Sequence, residues 1–105
     1  MEDIHPKAFI DLHQEGQSES RLVVDVREIY EWEYYHLEDT VLMPMNTIPS
    51  RLNELPEDKD IYVICAHGVR SQMVCGYLRE QGFERVVNVN GGMAAVASFL
   101  GFEYD

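Results

Sequence analysis

Three short runs of mainly apolar residues, Leu22–Asp25, Ile61–Ile64 and Val86–Val89, limit what this chain can fold into. Each has the length and β-branched content of a strand, and each is followed by helix signals. Strands that alternate with helices build α/β units around a parallel sheet. An α/β fold is therefore the expectation.

The remaining elements are read from their start and stop signals. Pro6 suits a first helical position, and Lys7–Gln14 reads as a helix ending at Gly16. Gln17–Ser20 is a polar loop before the strand Leu22–Asp25, which ends in a carboxylate. Arg27–Tyr35 reads as a helix, with Ile29 and Trp32 at one spacing and Glu28, Glu31 and Glu33 mostly outward. Thr40–Met43 is a short strand stopped by Pro44, and Ile48–Leu55 a helix ended by Pro56. A charged turn, Glu57–Asp60, leads into the strand Ile61–Ile64. Ser71–Gln81 is a helix with a Gly82 stop. After the strand Val86–Val89, the pair Gly91-Gly92 opens a final helix over Met93–Leu100.

A chain of 105 residues fits one domain, residues 1–105, with one core. No apolar run approaches the ~20 residues that span a membrane, and the start Met1-Glu2-Asp3 lacks the features of a signal peptide. Two cysteines do not make a disulfide scaffold, so the reading is a cytoplasmic protein. The net charge of −11 argues against nucleic acid or an anionic membrane as partner. Residues 1–60 hold 15 acidic against 5 basic residues, whereas residues 61–105 hold 4 against 3. The half that carries the chemistry below is thus nearly neutral.

That chemistry lies in Cys65-Ala66-His67-Gly68-Val69-Arg70-Ser71. An apolar strand ends on a cysteine, a tight loop follows, and a helix begins at Ser71. The thiolate is the reactive form of cysteine, with an ordinary pKa of about 8.5. Unpaired N–H groups at a helix start, and amides turned inward by a bend, stabilise an anion. Gly68 permits the bend, Arg70 adds a donor fork suited to oxyanions, and Ser71 is a good N-cap. In an open parallel sheet, ligands gather at the carboxyl ends of strands, where Cys65 would sit. The bland alternative is a buried, inert cysteine.

Three stretches, taken in order, resemble the rhodanese-like sulfurtransferases in their single-domain form, over roughly residues 22–93. Leu22-Val23-Val24-Asp25-Val26-Arg27-Glu28, with Glu31-Trp32 and His36-Leu37, is similar to the family's Asp-x-Arg…Glu-Phe/Tyr…His-Ile stretch. Cys65 to Ser71 resembles its active loop, Cys-x-x-Gly-x-Arg-Ser. Gly82-Phe83-Glu84-Arg85-Val86 and Asn90-Gly91-Gly92-Met93 resemble its closing strand and diglycine turn. The chain departs from the family at Tyr35, Asp39-Thr40 and Val96, which stand where glycine, Gly-Ala and tryptophan are usual. These departures touch loop geometry and packing, and the reactive loop is intact.

The resemblance implies a central parallel β-sheet flanked by helices on both faces. It implies that Cys65 attacks the outer sulfur of a small anionic donor such as thiosulfate or a persulfide, keeps that sulfur as a persulfide, and passes it to cyanide, a thiol or a protein. The backbone of Ala66, His67, Gly68, Val69, Arg70 and Ser71 would then hold the charge. Arg70 would bind the donor or orient the loop. No metal or organic cofactor is implied.

Two other functions stay open. Cysteine phosphatases separate cysteine from arginine by five residues; here there are four, Ala66 through Val69. A tighter ring leaves little room for a phosphoryl group and fits a single sulfur. The other is a binding or sensing module on the same fold. Outside the loop, Cys75 reads as packing or as a resolving thiol, and His36 as a structural hydrogen-bonding group. Asp25 and Arg27 would fix the strand-to-helix turn by pairing with backbone or Glu31. Trp32, Tyr34 and Tyr35 read equally as core or surface.

Overall fold

A computed structural model describes residues 2–16 and 18–104. Met1, Gln17 and Asp105 lie outside the described residues, so the Gln17–Ser20 loop is seen from Ser18 onward. The elements are strand β1 (Asp3–Ile4), helix α1 (Pro6–His13), β2 (Arg21–Asp25), α2 (Ile29–Tyr34), β3 (Val41–Leu42), β4 (Asp60–Ile64), α3 (Val69–Glu80), β5 (Val86–Val89) and α4 (Gly92–Phe99). Two 3-10 turns, Met45–Ser50 and Leu52–Glu54, link β3 to β4.

The five strands form one parallel sheet in the order β1-β5-β4-β2-β3. Successive side chains of a strand point to opposite faces, and both faces here are apolar. Val24, Ile61, Val63, Cys65 and Val86 pack with Val74, Cys75 and Leu78 of α3 and with Ile48 of the 3-10 segment. Val23, Tyr62, Ile64, Val87 and Val89 pack with Phe9 and Ile10 of α1 and with Met93 and Val96 of α4. A sheet buried on both faces needs apolar residues in sequence rather than in alternation, which is why Ile61–Ile64 of β4 is a continuous apolar run and β5 is interrupted only by Asn88.

Two expectations are corrected. Ile48–Leu55 is not an α-helix. Proline has no N–H to donate and biases the preceding residue away from the α region. With Pro49 inside the segment, the chain closes short i→i+3 bonds instead, Thr47 N–H to Pro44 and Arg51 N–H to Ile48 (2.8 and 2.9 Å). Ile48 and Leu55 still reach the core. The second correction is α2, which starts at Ile29 rather than Arg27.

Strand β1 had no reading in the sequence. Its two residues are too few to show a period, and it is held by pairing with β5: the Asn88 amide donates to Glu2 O (2.9 Å) and the Asn90 amide to Ile4 O (3.0 Å).

Candidate active site

Cys65 immediately follows β4 and is 1% exposed. Beyond it the chain turns at Gly68, whose φ of 93° makes it the left-handed cap residue of α3. The helix begins at Val69, two residues earlier than expected, so Ser71 is its third residue and not its cap. The Gly68 amide donates to Cys65 Sγ at 3.0 Å, an amide aimed at the sulfur from the helix head. A side chain at Gly68 would bring its Cβ to 3.1 Å from the Gly91 nitrogen.

The loop hangs on α4. The Met93 amide donates to Cys65 O (2.7 Å) and the Ala94 amide to Ala66 O (3.0 Å), so the first turn of α4 satisfies the carbonyls of the loop floor. Gly92 makes that approach possible: a Cβ there would lie 2.5 Å from Cys65 O and 2.7 Å from Ala66 C. The diglycine pair is therefore the seat of the reactive loop, a role its spacing in the sequence does not reveal.

The structure brings the loop residues to different positions. Ala66, Gly68 and Ser71 are buried, His67 is exposed at the loop tip, and Val69 is 66% exposed. The Ser71 side chain turns inward, where Cys65 Sγ donates to its Oγ at 3.3 Å and its own hydroxyl donates to Asn88 Oδ1.

Arg70 is held by a bidentate pair with Glu31 of α2, Nη1–Oε1 at 2.8 Å and Nη2–Oε2 at 2.9 Å. The hydrogen bonds it donates to Glu31 push the Arg70 guanidinium further above its ordinary range. In turn the Arg70 hydrogen bonds hold the Glu31 carboxyl below the usual carboxylate value, against a smaller opposing effect of burial. Glu31 also accepts from the Glu28 amide (2.9 Å), which closes the start of α2. The sequence left Glu31 among the outward residues of its helix, and only the fold brings it to Arg70.

Beneath this pair lies a second one, Asp25–Arg27, with both side chains fully buried. Arg27 Nε donates to Asp25 Oδ1 (2.9 Å) and Nη2 to Oδ2 (2.8 Å). Its remaining donors reach Tyr35 O (2.7 Å), Glu31 O (3.4 Å) and Tyr104 Oη (2.8 Å). Arg27 thus fixes the strand-to-helix turn as expected, through Asp25 and the backbone of Glu31 rather than the Glu31 carboxylate. Removing one partner of such a pair typically costs about 3–5 kcal/mol, because a charge is left buried and alone.

Cys75 sits in the core under α3, where burial pushes its thiol up to about 12. It stays protonated at neutral pH and is a packing residue in this state. His36 Nδ1 is 2.7 Å from Trp32 O, the structural hydrogen bond expected. Trp32 is half-buried and stacks on His36 with ring centres 3.8 Å apart, while Tyr34 is 64% exposed. A cleft of about 460 Å³ opens between α1, α4 and residues 35–39, and no loop residue lines it. Among the described residues there is no cluster of metal-ligating side chains and no helix long and apolar enough to cross a membrane.

A cysteine at the carboxyl end of the central strand of a parallel sheet, under an amide at a helix head, defines a class of cysteine-centred α/β domains. Within it the sequence matches the rhodanese-like domain over residues 6–98, and the chain belongs to that family. It is 40% identical over 82 residues to a sulfurtransferase of Allochromatium vinosum, covering 78% of this chain and 77% of that one. It is 36% identical over 89 residues to the thiosulfate sulfurtransferase GlpE of Pseudomonas syringae pv. syringae, covering 85% and 80%. The crystal structure of a rhodanese-like domain protein from Staphylococcus aureus superposes with a TM-score of 0.83 at 35% identity, covering 91% of each chain. Family and relatives support sulfur transfer as the general activity.

Proposed function

We propose that this chain is one rhodanese-like domain, residues 1–105, that works in the cytoplasm. It moves a sulfane sulfur from a small anionic donor, thiosulfate or a persulfide, to cyanide, a thiol or a protein acceptor through a persulfide on Cys65. The observation that carries this reading is the Gly68 amide aimed at Cys65 Sγ from the head of α3. The donor named for the Pseudomonas relative supports thiosulfate.

In the first half-reaction the Cys65 thiolate attacks the outer sulfur of thiosulfate. An S–S bond forms at Cys65, the sulfur–sulfur bond of thiosulfate breaks, and its electron pair leaves on sulfite. The charge now rests on the terminal sulfur, within the loop amides of Ala66 to Ser71. In the second half-reaction the acceptor attacks that terminal sulfur and Cys65 leaves as thiolate. Covalent catalysis of this kind needs an activated nucleophile and a held anion, both of which a helix head supplies. With Arg70 already paired to Glu31, its part is to orient the loop through α2, and its outer N–H groups contact the donor.

Intact-mass spectrometry after thiosulfate treatment should show one added sulfur, lost in Cys65→Ala, and cyanide should remove it as thiocyanate. No added sulfur from thiosulfate, polysulfide or persulfide donors would leave a binding module instead. Turnover of an aryl phosphate that Cys65→Ser abolishes would make the chain a phosphatase.

A further inference from the structure

Behind the reactive sulfur runs a buried polar chain. Asn88 lies in β5, paired with Val63 of β4, and its side chain turns toward α3. Asn88 is 3% exposed, Ser71 0% and Cys65 1%. In this setting hydrogen-bond direction is determined by counting donors and acceptors.

An ionised carboxylate only accepts. Asn88 Nδ2 faces Asp3 Oδ1 at 3.4 Å and Asn90 Oδ1 at 3.5 Å, so the amide nitrogen points to Asp3 and the oxygen to Ser71. Ser71 has a single hydroxyl proton, and Asn88 Oδ1 takes it. Toward Cys65, Ser71 presents only lone pairs, so the Cys65 thiol donates to Ser71. A hydroxyl facing a thiolate from this helix position would otherwise donate to it and stabilise its charge.

We propose that Asn88 is a positioning residue that holds the Ser71 hydroxyl as an acceptor toward Cys65, which withholds a second donor from Sγ beside the Gly68 amide and makes charge on Sγ less favourable than charge moved to a terminal sulfur. The second half of this statement rests on the persulfide reading above; the first half does not. In the free enzyme the thiol proton is held against Ser71 and passes to solvent on ionisation. In the loaded enzyme Sγ is a neutral divalent sulfur, singly bonded to Cβ and to the terminal sulfur, and the lone pairs of Ser71 no longer face a charge. The Ser71–Asn88 pair therefore tilts the cysteine toward carrying sulfur.

Other charged or titratable groups around Cys65 are His67 on the loop, Arg70 and Cys75 on α3, Asp3 on β1, and Glu31 of α2 acting through Arg70. The α4 residues that pack on the loop, Met93 and Ala94, do not titrate. All of these are left in place by the substitutions below.

The test is the pH midpoint of thiolate ultraviolet absorbance, read below pH about 9 so that tyrosine stays neutral. Cys75, pushed up to about 12, is silent in that range. Asn88→Ala frees the Ser71 proton for Sγ and should lower the Cys65 midpoint by about one pH unit. Asn88→Val, suited to a strand, replaces it if circular dichroism shows that Asn88→Ala does not hold its fold. Ser71→Ala should not raise the midpoint, and in that background Asn88→Ala should have no further effect.

An unchanged or raised midpoint in the Asn88 variants overturns the proposal, as does a rise of about one pH unit in Ser71→Ala. So does a fall that persists without Ser71. At a fixed ratio of thiosulfate to sulfite, intact mass should show the loading equilibrium of Asn88→Ala reduced by up to about tenfold. A native protein that takes up no sulfur would sink the persulfide reading, while the titration would still judge Asn88.

Discussion

Gly92 and Gly76 separate two uses of the same residue. Gly92 has a φ of 62° and no room for a Cβ, which would strike the Cys65 and Ala66 backbone. Gly76 lies inside α3 with nothing within 4 Å of its Cβ position. Gly92→Ala should lower the melting temperature and slow sulfur loading of Cys65, since both the left-handed backbone, at roughly 1–2 kcal/mol, and the contact with the loop floor oppose it. Gly76→Ala should raise stability by about 0.5–1 kcal/mol through helix propensity. Thermal unfolding of the two variants checks both signs. Cys65, Gly68 and Arg70 were legible in the sequence because their chemistry and spacing are local. Asn88 was not, since a lone polar residue inside an apolar strand carries no sign of what it will face.

At the scale of elements, the pair Arg70–Glu31 ties the first turn of α3 to α2, with side chains 29% and 17% exposed. Pairs this exposed are typically worth about 0–1 kcal/mol, so Glu31→Gln should change stability by no more than that. It should lower the KM for thiosulfate, because the Arg70 charge is then uncompensated beside the anion site. A rise in KM would mean that orientation of Arg70 outweighs its charge. The Glu31 pKa is depressed in the folded state, so its contribution is present above the ordinary carboxylate value of 4.5 and is lost as pH falls through the folded value. The native protein's melting temperature should therefore fall more steeply in acid than that of Glu31→Gln. The positions of β2, β4, β5 and all four helices could be read from the sequence, with helix starts off by two residues or fewer. Ile48–Leu55 was read as a helix ended by Pro56, whereas Pro49 biases Ile48 away from the α region and the segment closes as two 3-10 turns.

Across the whole molecule the charge is −11, and most of it belongs to residues 1–60. A small anion approaches such a body against its field, and salt screens that field over roughly 10 Å at about 0.1 M. The kcat/KM for thiosulfate should rise as sodium chloride increases from about 20 mM to about 200 mM. A fall over that range would show that the loop's own positive field governs approach. The parallel α/β sheet was legible as a class, from strands alternating with helices, and its covering on both faces was implied by the resemblance to the rhodanese-like family. Its order β1-β5-β4-β2-β3 was not, because β1 is only two residues long and joins by pairing with the last strand.

The hydrogen bonds from Met93 and Ala94 leave the reactive loop with one inelastic side and one free side. The carbonyls of Cys65 and Ala66 are anchored to α4, whereas His67 and Val69 face solvent. A residue inserted next to Cys65 would break that anchorage, whereas one inserted between His67 and Val69 would leave the anchorage intact but enlarge the arch and shift the buried Gly68 amide relative to Sγ. The ring's bore can thus be altered at its exposed rim while the sulfur keeps its place.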